Sequence, residues 1–389
     1  MRPICLHNGT VMTGFAAMEH CAVLLQDGMV GDVFSKKRLE QRHLPPDTLL
    51  IDVNEACIAP GFIDTHIHGF GGYGTDDAST DSVIEMSRLL TQCGVTAFNP
   101  TLYPSQPEEM LRAVASVAAA IGREPGARIM GLHLEGPFLS PERLGVQRLE
   151  TLRSVDLSYM EQLWEAAEGH IVNMTVAPEI KGMRELALFC IKKGIVLQAG
   201  HTNAKYENMV EGMQAGILHS THLFNAMSRM DHRNPNAVGA ILIHPEMSCE
   251  IIADGFHVHP DLFKLLLRDK PVDKIVLVTD SLKPTEQAEG PFFANGEEVL
   301  FYGGLFHRKA DDVIAGSGLT MIRGVKNLTS FGFSMEDAVK TASSNPAQVM
   351  RYRRKGTIIP GSDADIVIFD WNFTVLAVIV GGELKRSVF

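Results

Sequence analysis

His66 and His68 stand one residue apart in Asp64-Thr65-His66-Ile67-His68. Along an extended chain, side chains alternate between faces, so residues two apart project to the same side. Both imidazoles can then reach one ion. Imidazole and carboxylate donors suit a borderline divalent metal, zinc first, with iron, cobalt and nickel as alternatives. Taken alone, the pair could also be two satisfied polar histidines. Four more residues follow short apolar runs: Glu135 in His133-Leu134-Glu135-Gly136-Pro137, His201 in Gln198-Ala199-Gly200-His201, His222 in Ser220-Thr221-His222, and Asp280 in Val278-Thr279-Asp280. Glu135, His201 and His222 read as further ligands, with Glu135 able to bridge one or two ions. His133, two residues before Glu135, can face the same way and support the ligands from behind. A divalent ion activates water and polarises a scissile carbonyl at neutral pH. A nearby carboxylate, here Asp280, can take the water's proton and pass it to a leaving amine. The chemistry these residue types allow is metal-dependent hydrolysis.

Residues so far apart in sequence meet only if the fold gathers them. Eight short β-branched runs, at 57–65, 95–99, 128–134, 171–176, 195–199, 217–221, 250–253 and 274–279, alternate with helical patterns. The helical stretches are 82–92, 107–122, 157–168, 183–193, 204–215 and 260–269. This alternation predicts an α/β fold, a (β/α)8 TIM-like barrel, with a doubly wound open sheet as the structural alternative. In a barrel the C-terminal strand ends form one rim where catalytic groups collect. Each candidate residue follows one of the predicted strands, so the barrel would turn the set into one site. The two ends of the chain read differently. Runs at 21–26 and 29–34 flank Asp27-Gly28, and runs at 364–369 and 374–380 lie near the C-terminus. Neither end has enough strands to bury a face alone. The expected organisation is a small β-sandwich domain from 1–54 and 351–389 around a catalytic barrel at 55–350.

With 389 residues, 45% of them hydrophobic, the chain can bury a large core. Its net charge of −11 argues against nucleic acid or an anionic membrane as partners. An anionic substrate would need a local cation. The six scattered cysteines read as reduced, buried thiols, and no run suits a signal peptide or membrane span, so a cytoplasmic location is expected. Two features are weaker signals. Gly69-Phe70-Gly71-Gly72-Tyr73-Gly74 matches a dinucleotide fingerprint formally but does not open a helix directly, and reads as a flexible rim loop. Arg351-Tyr352-Arg353-Arg354-Lys355 reads as a solvated helix end.

These segments together resemble one family. The stretch from Pro60-Gly61-Phe62-Ile63-Asp64-Thr65-His66-Ile67-His68 through His133-Leu134-Glu135-Gly136-Pro137 and Thr221-His222-Leu223-Phe224-Asn225-Ala226-Met227 is similar to the N-acetylglucosamine-6-phosphate deacetylases of the amidohydrolase superfamily. Ala253-Asp254-Gly255-Phe256-His257, Val278-Thr279-Asp280, Ala315-Gly316-Ser317 and Ser344-Asn345-Pro346 continue the likeness in order. The resemblance implies deacetylation of N-acetyl-D-glucosamine 6-phosphate to D-glucosamine 6-phosphate and acetate, by a homodimer or higher homo-oligomer with substrate contacts that can cross the interface. It implies Glu135, His201 and His222 as the shared metal ligands, His66 and His68 as ligands to a second ion, and Asp280 as the acid/base. It further implies substrate contacts at Asn225, Ala226, His257, Ala315 and Gly316, with Arg233 on the phosphate. One position departs. Where the family usually has Gly-Ala-His, this chain has Gly145-Val146-Gln147, and glutamine can donate to an oxyanion but cannot become cationic. Gln147 therefore keeps N-acetylgalactosamine 6-phosphate, or another N-acyl amino sugar, in play. A deaminase or cyclic-amide hydrolase and a non-catalytic metal-binding scaffold are the readings from other classes.

Overall fold

A computed structural model describes residues 1–389. Eight parallel strands form the barrel: β1 (Phe62–Ile67), β2 (Val95–Leu102), β3 (Leu132–Glu135), β4 (Ile171–Val176), β5 (Val196–Ala199), β6 (His219–Ser220), β7 (Ser248–Ile252) and β8 (Ile275–Val278). Each hydrogen-bonds its successor from β1 to β8. β8 meets β1 where the Asp280 N–H donates to the His66 carbonyl at 2.9 Å and the Thr279 hydroxyl to Asp64 at 2.6 Å. A helix follows every strand. Ser79 and Asp156 cap Thr80–Leu90 and Leu157–Ala166, and Pro107 and Pro260 occupy the first turns of Pro107–Ala118 and Pro260–Asp269. The expected helices are all present, Met183–Lys193 and Pro260–Asp269 with the expected bounds. Asn236–Ile243 and Met321–Ser330 complete the eight βα units. Apolar residues of both layers form one core cluster of 73 buried residues.

The run at 57–65 is not one strand. Cys57–Pro60 joins a sheet made from both chain ends, and the barrel starts only at Phe62. Gly61 sits at the crossing because a Cβ there would lie 2.1 Å from the Thr96 hydroxyl oxygen. The terminal sheet has eight strands, and Val30 and Ala364 tie its distant parts together by donating to the Ser362 and Gly28 carbonyls. Its central strands Cys57–Pro60, Ile366–Phe369 and Val375–Val380 are buried on both faces. Ile58, Ile366, Ile368, Ala377 and Ile379 point into a separate core of 16 residues, while their neighbours Cys57, Ala59, Val367, Phe369 and Val378 join the barrel core. That period of two under continuous apolar runs is what a sheet covered on both sides requires.

Three further expectations are corrected. The segment at 69–74 is a paired hairpin, Gly69–Phe70 against Tyr73–Gly74, rather than a flexible loop. Gly69 lies so close to Lys283 that a Cβ would come 2.5 Å from its backbone nitrogen. The basic run at 351–355 follows the end of helix Ser344–Val349 and is not all solvated. The Tyr352 hydroxyl donates to Asn99 at 2.7 Å, and Lys355 pairs with Asp363 at 3.0 Å. An antiparallel sheet absent from the expectation, Gly290–Ala294, Glu297–Tyr302, Leu305–Arg308 and Ile314–Ser317, rises between β8 and its helix. All six cysteines are free and buried, and no helix is long and apolar enough to cross a membrane.

Candidate active site

The barrel gathers the six residues singled out from the sequence at one end of its strands. His66 is the penultimate residue of β1 and Glu135 the last of β3, while His68, His201, His222 and Asp280 follow β1, β5, β6 and β8. His201 and Asp280 hold left-handed backbone at φ 46° and 50°, as do the nearby Phe224 and Ala226. Such conformations cost non-glycine residues about 1–3 kcal/mol and persist where the surroundings fix them. The side chains fall into two sets whose ligand atoms lie within 4.8 Å of one another: Glu135 with His201 and His222, and His66 with His68 and Asp280.

Glu135 joins the two sets. Its Oε1 lies 3.1 Å from His201 Nε2, 3.2 Å from His222 Nε2 and 3.5 Å from His66 Nε2, and its Oε2 is 3.4 Å from His68 Nε2. Asp280 Oδ1 stands 3.5 Å from His66 Nε2 and 3.4 Å from His68 Nε2. His66 Nε2 and both ring nitrogens of His68 are buried without a hydrogen-bond partner. Convergent lone pairs on imidazole and carboxylate, shielded from water, are the donor set a divalent cation requires. The residues fit such an ion. His201 is oriented for it, because its Nδ1 lies 3.0 Å from the Leu144 carbonyl, which can only accept.

Burial alone would raise the carboxyls, yet the surrounding histidines dominate. The charge and hydrogen bonds of His201, with those of His222 and His68, hold Glu135 well below the usual carboxylate range. Burial likewise opposes ionisation of Asp280, and the His66 charge and His68 hydrogen bond outweigh it, so Asp280 is lowered. Both are anionic at neutral pH. His66 shows the reverse: against burial, Glu250 and Asp280 push it up to about 10. His133 goes down, well below its usual value, through burial and the nearby His66 charge. It touches no carboxylate of the two sets and lies between the Thr101 and Thr175 hydroxyls, with its ring edge-on to His66.

A cavity of about 260 Å3 opens above the two sets. Gln147, Asn225, Ala226, His257, Ala315 and Gly316 all line it. Gln147 is oriented by donating its amide nitrogen to Glu135 Oε2 at 2.6 Å. His257 is held 2.6 Å from Asp254, which raises it against the effect of burial. Arg233 is not among the lining residues. It is exposed in the turn that Asp231 organises, its backbone N–H 2.8 Å from Asp231 Oδ1. No lysine or arginine lines the cavity at all.

Two residues here were not singled out from the sequence. Tyr103 stacks on His68 with ring centroids 3.7 Å apart and an interplanar angle of 3°. Glu250 on β7 is wholly buried and contacts His66. Its signal was a lone acid inside the apolar run Cys249-Glu250-Ile251-Ile252, where an unpaired charge would be costly.

The family model for the amidohydrolase family matches residues 57–385. The N-acetylglucosamine-6-phosphate deacetylase of Bacillus subtilis (strain 168) is 33% identical, over 96% of this chain and 95% of its own. The N-acetylgalactosamine-6-phosphate deacetylase of Shewanella sp. (strain ANA-3) is also 33% identical, over 96% and 94%. Among solved structures, a mutant N-acetyl-D-glucosamine-6-phosphate deacetylase from Mycobacterium smegmatis, in complex with N-acetyl-D-glucosamine-6-phosphate, superposes with a TM-score of 0.91. It is 28% identical, and the match covers 100% of both chains. With a family match across the whole barrel and relatives alike over almost their entire length, this chain belongs to the amidohydrolase family.

Proposed function

We propose that the protein hydrolyses the acetamide of N-acetyl-D-glucosamine 6-phosphate, giving D-glucosamine 6-phosphate and acetate. The observation that carries this reading is Asp280, an anionic carboxylate at the base of the cavity, set against histidines that share Glu135 with a second ligand set. Glu135, His201 and His222 would hold one divalent ion, and His66, His68 and Asp280 a second, with zinc suited to these donors. A bound ion supplies polarisation of the acetyl carbonyl and acidification of water.

The chain's own residues do the rest. Asp280 accepts the proton of the attacking water as its oxygen bonds to the acetyl carbon. It returns that proton to the sugar nitrogen as the carbon–nitrogen bond breaks. Gln147 spends one amide hydrogen on Glu135. Its other amide hydrogen is free to donate to the oxyanion that develops. Asn225, His257 and the backbone at Ala315 and Gly316 orient the sugar. The phosphate needs a cation that the cavity walls do not supply. Arg233 fits that role by chemistry, since a guanidinium binds phosphate through two parallel hydrogen bonds. Its exposed turn would serve a neighbouring copy in a homodimer.

The second reading is N-acetylgalactosamine 6-phosphate. Gln147 and the Shewanella relative both favour it. The test is acetate release from a panel of N-acetylated amino-sugar phosphates by metal-reconstituted protein. The glucosamine derivative should turn over fastest. Preference for the galactosamine derivative would replace the first reading with the second, and no acetate from any member would sink both.

A further inference from the structure

Glu250 is a fully buried carboxylate that the proposed reaction does not use. Every group around it is a donor. Its Oε2 accepts from His66 Nδ1 at 2.9 Å and from the His222 backbone N–H at 3.2 Å. Its Oε1 accepts from the Gln198 amide at 3.0 Å, with His219 Nε2 3.8 Å away. An ionised carboxylate has no hydrogen to give, so Nδ1 of His66 carries the proton. With Nδ1 holding that proton, Nε2 is the nitrogen that would face a bound cation in place of a proton, 3.5 Å from both Asp280 Oδ1 and Glu135 Oε1. Nε2 itself has no hydrogen-bond partner.

The two ligand sets are fixed differently. His201 takes its orientation from the Arg143 and Leu144 carbonyls, which Glu250 does not touch. His68 has neither ring nitrogen bonded and is held by its stack on Tyr103. Within the His66, His68 and Asp280 set, only His66 has a buried partner that decides which nitrogen is free. We propose that Glu250 is a positioning residue that locks His66 in the Nδ1–H tautomer and so sets the affinity of this set for a second divalent ion. The proposal rests on reading His66, His68 and Asp280 as a cation site.

The test counts ions. Metal-free wild type and Glu250→Gln are loaded with zinc, the bound metal is counted, and each binding step is followed by calorimetry. An amide at 250 must aim its NH2 at a donor, either Gln198 or the His66 and His222 N–H groups. Wild type should bind two ions per chain. Glu250→Gln should weaken the second ion about 10- to 100-fold more than the first, whose His222 it reaches only through the backbone N–H. Two ions bound unchanged in the variant, or both weakened alike as a general loss of packing would do, overturns the role of Glu250. One ion per wild-type chain overturns the cation-site reading and the proposal with it. If the variant does not fold, isotope-edited histidine NMR of the cadmium-loaded wild type decides. Cadmium coupled to His66 Nε2, with Nδ1 protonated, supports the proposal, and cadmium on Nδ1 overturns it.

Discussion

Asp280 combines a strained backbone with a carboxylate kept anionic by its histidine neighbours. Its amide N–H is anchored to the His66 carbonyl, so removing the charge need not disturb the turn. Asp280→Asn is expected to keep the fold and the ion on Glu135, His201 and His222 while lowering kcat about 100- to 10,000-fold. Metal counting beside steady-state rates checks it, and near-normal turnover would end the acid/base role. Arg233→Ala should raise KM for phosphorylated substrates while leaving their unphosphorylated counterparts unchanged. Equal effects on both would remove the phosphate role. At this scale the ligands were legible because their types are rare in apolar runs and each follows a strand. Glu250 and Tyr103 were not, because one acid in a strand and one aromatic after another carry no spacing that points to a metal.

Between elements, the junction at Gly61 is the most exacting contact. A methyl group there meets three atoms of the Thr96 side chain at 2.1–2.6 Å. Gly61→Ala should therefore lower the unfolding free energy by about 1–3 kcal/mol. Thr96→Gly in the same chain should recover part of that loss, read from denaturation midpoints of the four proteins in the cycle. A single variant that unfolds with the wild type would show that the two strands are not so close. The helices were legible from their apolar period and their capping residues. The sheet at 290–317 was not, because it interrupts the βα alternation with a hairpin-rich insertion. The run at 57–65 misled for another reason. Both its halves are buried strands, and composition does not say to which sheet a strand hydrogen-bonds.

For the molecule as a whole, the cysteines test how well the layers are sealed. All six are buried, and burial pushes the thiols of Cys57, Cys93, Cys190 and Cys249 from 9.0 up to about 12. The native protein should resist alkylation at mildly alkaline pH, with every thiol reacting once it is denatured. Early modification of the folded protein would show an open core. These thiols keep their protons in the folded state at a pH where the unfolded chain has lost them. Their contribution to stability is thus complete below pH 9.0 and fades as pH rises toward about 12. Denaturation midpoints across that window should fall, and replacing Cys249 by Ser should flatten the slope. The sequence by itself determined the ligand types, the strand–helix alternation and hence a barrel rim that could unite them, because side-chain periodicity is a local property. Only the tertiary structure decided that Glu135 joins two ligand sets, that Glu250 stands behind His66, and that no lysine or arginine lines the cavity. Those facts are distances between residues far apart in the chain, and strand order and register set them.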